Sequence, residues 1–109
     1  MTDATHGVIE RYFRAVADDD TDALVACFAD DAAVVDEGKT YRAHDQIRGW
    51  REQTGAAYQY TAEVLRTEPR DDDRYAVTTK LTGNFPGSPV EVQYLFALRG
   101  DLIAGLDIE

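Results

Sequence analysis

The sequence predicts an α+β fold, in which about three N-terminal helices pack against a curved, mainly antiparallel sheet. Apolar residues recur at helical spacing up to about Gly55, and they alternate with polar residues in most of the chain that follows. Helices first and strands second is the order typical of α+β domains. A curved sheet that helices close on one side forms a cone, so we expect a central apolar pocket.

Three helices are predicted in the first half of the chain. The first ends at the acidic run 18–20 and is capped at its start by Asp3 or Thr5. Asp20 or Thr21 caps a short second helix, and His44 or Asp45 opens a third that Gly55 closes. The inward residues of the three helices are Val8, Ile9, Tyr12, Phe13 and Val16, then Leu24, Val25 and Phe28, then Ile47, Trp50 and Thr54.

The strands are predicted from small or β-branched runs and from alternation. Residues 32–36 form a short strand that ends at Asp36, before a turn at 37–39. Alternation then resumes at Tyr58, and turns are expected at 69–73, 83–89 and 99–101.

The register of the last hairpin decides which polar groups face the pocket. Gly100 and Asp101 could form a two-residue loop, or Arg99 could join them in a three-residue loop. We expect the longer loop, with Leu98 opposite Leu102, because it keeps the large apolar side chains on one face. Asp107 then lies on the outer face of the sheet.

The composition excludes several classes of partner and site. The chain has 109 residues, one expected domain over 1–109, and a formal net charge of −10, so nucleic acid and anionic membrane surfaces are poor partners. One cysteine, no leader-like N-terminus and no membrane-length apolar run indicate a cytoplasmic protein. With no zinc spacing and two distant histidines, His6 and His44, we expect neither metal nor cofactor.

Asp36 and Tyr12 are the candidate catalytic residues. A carboxylate that ends an apolar strand is partly desolvated, which raises its pKa and suits a general base; it could equally be an Asp that starts the turn before Gly38. Tyr12 could donate to a developing oxyanion or could be a core tyrosine. Five aromatic residues are candidate walls of a ligand site, or simply core: Phe28, Trp50, Tyr60, Tyr94 and Phe96.

The run FADDAAVVDEGKTYRAHDQIRGW at 28–50, with the order of elements, resembles the NTF2-like superfamily and its SnoaL-like members. The resemblance implies a cone-shaped fold that hosts isomerases, cyclases and non-catalytic modules alike. In the ketosteroid isomerase branch, IERYFRAV resembles the first helix and DDAAVVDEG the first strand. Tyr12 then falls at the oxyanion-hole tyrosine and Asp36 at the general base.

The sequence departs from that branch at three positions, and two further positions are compared with SnoaL-like members. Tyr94 stands near the place of its second oxyanion acid, and Phe28 and Arg51 stand where two supporting tyrosines fall. The late-strand carboxylate of SnoaL-type cyclases has Asp107 as its nearest candidate. A glycine common before the third helix is Ala43 here. Arg51, like Arg48, is predicted to lie on solvated helix surface.

Two functions agree with these residues. The protein could be a cofactor-independent isomerase or cyclase-like enzyme, with Asp36 as base and Tyr12 as donor, acting on a small apolar carbonyl compound. It could instead be a binding or dimerisation module that uses the same cavity without chemistry. A semi-apolar outer sheet face predicts a homodimer through the sheet. We expect that face to hold Leu65, Leu95, Ala97 and Ile103.

Overall fold

The fold consists of three helices on one face of a six-stranded, curved and unclosed sheet. The computed structural model of the chain describes residues 4–57, 60–71 and 73–109, with side chains at 7–54, 60–71 and 73–109. The strand order is β2-β1-β6-β5-β4-β3. In chain order the elements are α1 (Ala4–Ala17), α2 (Thr21–Ala26), β1 (Phe28–Asp36), β2 (Lys39–Arg42), α3 (Ala43–Ala57), β3 (Tyr60–Pro69), β4 (Arg74–Gly83), β5 (Val90–Arg99) and β6 (Leu102–Ile108). The predicted α+β class is confirmed.

Strand β1 pairs with β6 in parallel, whereas the other neighbouring strands are antiparallel. Val34 lies opposite Leu106, and Asp36 lies opposite Ile108. Because side chains alternate between the two faces of a strand, Val34 and Asp36 share one face. Val34 is fully buried, so this is the inner face, toward the helices.

The core lies between the inner face of the sheet and the three helices. Tyr12 on α1 is at its centre and packs edge-to-face on Phe28 and Phe96, with ring centroids 6.0 and 5.5 Å away. Buried members from the helices include Val8, Leu24, Ile47 and Trp50, and those from the sheet include Val34, Val77, Ile103 and Leu106.

The end of α1 and the start of α2 agree with the sequence, whereas the ends of α2 and α3 differ from it. Asp20 caps α2, since its carboxylate accepts a hydrogen bond from the Ala23 N–H at 3.1 Å. Helix α2 already ends at Ala26, and Phe28 is the buried first residue of β1, so its placement on the second helix was wrong. Helix α3 continues two residues past Gly55. The expected cap Asp3 and the strand start at Tyr58 lie outside the described residues.

Strand β2 was not predicted, and its turn explains why it forms. Asp36 pairs with Lys39 across a two-residue loop. Glu37 and Gly38 have φ of 53° and 78°, and a type I′ hairpin needs positive φ at both positions. The run that looked like a simple turn is therefore a tight hairpin that covers the edge of β1.

The predicted register of the β5–β6 hairpin was wrong. Arg99 pairs with Leu102 across the two-residue loop, where Gly100 has φ of 64°. A bulge then shifts the pairing beyond Leu98, so that Phe96 faces Leu106. The bulge keeps the large apolar side chains on one face, so the shorter loop satisfies the burial requirement that favoured the longer one. Ile103, expected on the outer face, is fully buried.

No helix in the described ranges is long and apolar enough to cross a membrane.

Ala43, at the junction of β2 and α3, has φ of 64°, a left-handed conformation that disfavours a Cβ. We expect Ala43→Gly to raise the free energy of unfolding by about 0.5–1 kcal/mol, because relief of strain exceeds the added entropy of the unfolded chain. The control is Ala23→Gly within α2, which should lower it by about 0.5–1 kcal/mol. Urea unfolding of the three proteins measures both changes. Equal losses for both variants would contradict strain at Ala43.

Candidate functional site

Asp36 lies at the end of β1 on the inner face of the sheet, and its side chain is half-buried. The Trp50 indole N–H donates a hydrogen bond to Asp36 Oδ2 at 2.9 Å. Trp50 is buried on α3, so the bond joins the middle of that helix to the sheet and fixes the direction of the carboxylate. Asp36 is thus both the residue before the β1–β2 turn and a carboxylate held toward the interior.

Tyr12 brings a buried phenol to the same face, and its side chain is only 2% exposed. Burial is the main cause that raises the pKa of Tyr12 well above its usual value, and the neighbouring Tyr94 and Tyr60 raise it further. The guanidinium of Arg51 acts in the opposite direction, and the Asp36 carboxylate adds a smaller increase. The phenol therefore stays protonated and can donate a hydrogen bond.

Tyr94 on β5 is a second buried phenol. Its ring centroid lies 6.1 Å from that of Tyr12, and burial raises its pKa strongly. The charges of Asp36 and Arg51 act on this phenol too, again in opposite directions. Asp36, Tyr12, Trp50, Arg51, Tyr60 and Tyr94 form one electrostatic neighbourhood, which we call the inner site.

Arg51 lies inside the protein, which corrects the prediction of a solvated surface residue. It is 5% exposed, and its Nη1 donates to the Tyr60 hydroxyl at 2.9 Å. Arg48, one turn earlier, agrees with the prediction: it is 41% exposed and pairs with Asp22 at 2.7 Å. The sequence analysis did not identify Arg51 as a site residue. Its position four residues after the buried Ile47 places it on the inward face of the helix.

The remaining sequence candidates lie at two depths. Phe28 and Phe96 are buried beneath Tyr12, and Tyr60 is half-buried at the start of β3. His44 is half-buried, and its Nε2 lies 2.9 Å from the Phe28 carbonyl oxygen and 3.8 Å from Asp30 Oδ1. Its contacts are those of a residue that joins α3 to the start of β1.

Asp107 pairs with Leu95 and lies on the outer face, as predicted. It lines a groove of about 600 Å³ there. A second groove of about 470 Å³ runs between α1 and β3 beside Phe13 and Val64. Neither groove includes Asp36 or Trp50. Within the described parts of the chain, no three His, Cys, Asp or Glu side chains are grouped as metal ligands.

Residues 9–105 match the family model of the SnoaL-like domain. The chain belongs to the SnoaL-like domain family. The crystal structure of a candidate polyketide cyclase from Sinorhizobium meliloti is similar to this SnoaL-like domain over 99% of the chain and 100% of its own, with 36% identity and a TM-score of 0.89. No curated protein matches the sequence significantly.

Two more distant structures share the fold of this SnoaL-like domain. One is a Catenulispora acidiphila protein with a ketosteroid isomerase-like fold, in complex with trimethylamine. Its identity is 23% and its TM-score 0.81, over 94% of this chain and 83% of that one. The other is a Mycobacterium tuberculosis protein in complex with estradiol-17β-hemisuccinate. It has 16% identity and a TM-score of 0.79, over 98% and 93% of the two chains. At these identities the likeness concerns the fold.

The raised pKa values of Tyr12 and Tyr94 predict a loss of stability in alkali. Tyrosine side chains in an unfolded chain ionise near pH 10. At that pH Tyr12 and Tyr94 stay neutral in the folded SnoaL-like domain, because their pKa values are raised. Their contribution is fully present below about pH 10 and is lost as the pH rises toward the folded pKa, by about 1.4 kcal/mol per phenol and pH unit. The melting temperature should fall between about pH 9 and about pH 11, and it should fall less for Tyr94→Phe than for the wild type.

The control is Tyr41→Phe, at a half-buried phenol near Trp50, which should keep the wild-type alkaline loss. Phenolate absorbance of the native protein offers an independent measurement. It should reach less than the value for all six tyrosines until the protein unfolds. Complete ionisation in the folded state near pH 10 would contradict the burial of these two phenols.

Proposed function

We propose that this protein binds a small, mostly apolar carbonyl compound at the inner site and that Asp36 removes a proton next to the carbonyl. The observation that carries the proposal is the half-buried Asp36 carboxylate, which Trp50 holds by a 2.9 Å hydrogen bond. It shares its electrostatic surroundings with the buried phenol of Tyr12. A fixed carboxylate and a neutral donor that serve one site are the pair that proton abstraction needs.

The reaction needs no group beyond these two residues. An oxygen of the Asp36 carboxylate takes a proton from the carbon next to the carbonyl. The electron pair of the C–H bond forms a carbon–carbon double bond, and the π pair of the carbonyl moves to its oxygen, which gives the enolate. The Tyr12 hydroxyl donates a hydrogen bond to the enolate oxygen that forms. The protonated Asp36 then gives a proton back to the enolate. Return to a different carbon of a conjugated enolate completes an isomerisation, whereas exchange at the original carbon requires that Asp36 first replace its proton with one from water.

Trp50 is a positioning residue in this proposal. Its N–H occupies Asp36 Oδ2 and leaves the carboxylate with further lone pairs to accept the substrate proton. Small molecules bound to two proteins of the same fold, trimethylamine and estradiol-17β-hemisuccinate, support the view that the fold accommodates compact organic ligands.

A second candidate function is binding without chemistry. It is favoured by Phe28 and Arg51, which stand where the ketosteroid isomerase branch has its supporting tyrosines. Phe28 has no hydroxyl, and Arg51 donates a hydrogen bond to the Tyr60 hydroxyl. In that branch two tyrosines support the oxyanion-hole tyrosine, at whose place Tyr12 falls. In this chain other contacts replace that hydroxyl network.

Deuterium exchange distinguishes the two candidates without knowledge of the natural substrate. The probe is 2-tetralone in D₂O, and proton NMR follows the loss of the C–H signal next to its carbonyl. We expect the wild type to accelerate the exchange and Asp36→Asn to reduce the acceleration by about a hundredfold or more, because the base is lost. Binding of 2-tetralone, measured by calorimetry, should change little.

The control is Asp30→Asn, an exposed carboxylate earlier on the same strand, which should retain wild-type exchange. Tyr12→Phe should slow the exchange less than Asp36→Asn, since it removes a donor and not the base. Binding without any acceleration by the wild type would favour the binding module. Equal acceleration by Asp36→Asn would overturn the role of Asp36.

We also propose that the protein is cytoplasmic and forms a homodimer through the outer sheet face. The support for a dimer is the groove of about 600 Å³ lined by Val35, Leu95 and Ala97, with Asp107 beside them and Arg74 at the rim. Semi-apolar faces with both charge signs can be self-complementary under a two-fold axis. Ile103, which was predicted to lie on this face, is buried in the core and does not contribute to it.

Light scattering measures the dimer directly. At tens of micromolar, roughly the range in which a modest interface holds, we expect twice the mass of one chain. Leu95→Asp should yield the single-chain mass, since it places a charge at the centre of the face. Val64→Asp, at an exposed residue beside α1, is the control and should remain dimeric. A monomeric wild type would contradict the proposal.

A further inference from the structure

Arg51 is a buried cation at the inner site. A guanidinium cannot lose its proton in a protein, so its charge must be balanced where it lies. Only 5% of the residue is exposed, although the chain carries 21 acidic residues that could have drawn it to the surface. Burial of this kind costs free energy unless a partner offsets it.

The partners of Arg51 within the described residues offset this cost only in part. Tyr60 accepts one hydrogen bond at 2.9 Å and is neutral. Asp19 Oδ1 lies 3.4 Å from Nη2, but the Asp19 side chain is 82% exposed, so solvent screens this pair. A guanidinium has more N–H donors than these two contacts use, and their planar arrangement fits the two oxygens of a carboxylate.

The charge of Arg51 influences the phenols of the proposed binding site. It acts on the phenols of both Tyr12 and Tyr94, on which the Asp36 carboxylate acts with the opposite sign. The inner site therefore has a basic group supplied by α3 and an acidic group supplied by β1. A ligand with an anionic group and an apolar body has one favourable orientation between them.

The geometry points to Arg51, together with Tyr60, as the residues that bind a carboxylate carried by the ligand. The inference rests on the proposed function, since it assigns the ligand class of the same site: a compact, apolar carboxylic acid. The alternative is a purely structural role, in which Arg51 links α3 to the α1–α2 turn at Asp19 and to β3 at Tyr60. A structural role does not discriminate between an acid and its amide.

Calorimetry with two matched probes tests the inference on the wild type alone. The probes are 1-naphthaleneacetate and 1-naphthaleneacetamide, which share an apolar body and differ in the charged group. We expect the acid to bind at least about tenfold more tightly, as a charge-assisted hydrogen bond allows. The net charge of −10 repels the acid, so a preference for it must come from a local cation.

Variants assign that preference to Arg51. Arg51→Gln should bind the acid no more tightly than the amide, whereas Arg51→Lys should keep part of the preference because it keeps the charge. Arg48→Gln is the matched control: it removes one positive charge from the exposed side of the same helix and should retain the full preference. Circular dichroism establishes that each variant is folded, and the wild-type comparison stands if Arg51→Gln is not.

The outcomes separate this inference from the proposed function. Equal binding of acid and amide to the wild type, or a preference that survives in folded Arg51→Gln, overturns the role of Arg51 and leaves apolar binding at the site intact. Binding of neither probe at about millimolar concentration, together with no binding of 2-tetralone, overturns both. A preference that Arg51→Gln abolishes and Arg48→Gln retains supports the inference.

Discussion

The parallel pairing of β1 with β6 is the constraint on which the rest of the structure depends. β1 follows the first two helices, and β6 ends the run of antiparallel strands, so this pairing joins the two halves of the chain in one sheet. It also sets the face of Asp36, which lies opposite Ile108 and next to the core. Long-range pairing of this kind is costly in loop entropy, and burial of Val34 and Leu106 on either side of it offsets that cost.

The sequence predicted the elements better than their pairing, and the physical reason differs from case to case. Helical spacing and the Asp20 cap are local signals, so α1 and α2 could be placed from the chain itself. The parallel partner of β1 is not a local property and was not foreseen. The prediction of the β5–β6 register was wrong for a different reason. Burial required one apolar face, but a single bulge meets this requirement as well as a longer loop does, and the sequence does not distinguish them.

At the candidate site, the carboxylate was easier to predict than the cation. Asp36 ends an apolar strand, which predicted a partly desolvated carboxylate, and the pairing of β1 with β6 places it on the inner face. Arg51 was read as surface because charged residues are rarely buried, which is a sound rule for most positions. The signal against the rule was its spacing from Ile47 and its place beside Trp50, but spacing alone cannot show that Tyr60 offers a partner from another element. Buried charges depend on contacts that only the folded chain brings together.

The two charged groups of the inner site also explain how a small fold with few polar residues inside could orient a ligand. In the proposed complex, an apolar body alone would have no fixed orientation at the inner site, since dispersion contacts are not directional. An anion held at Arg51 removes most of this freedom, because planar donors fix both the distance and the angle of a carboxylate. Orientation of reacting groups in a near-attack geometry can lower a barrier by about 7–11 kcal/mol. The hydrogen bond from Trp50 fixes Asp36, and a bond from Arg51 to the ligand would fix the other reactant, so both partners of the proton transfer would depend on adjacent residues of α3.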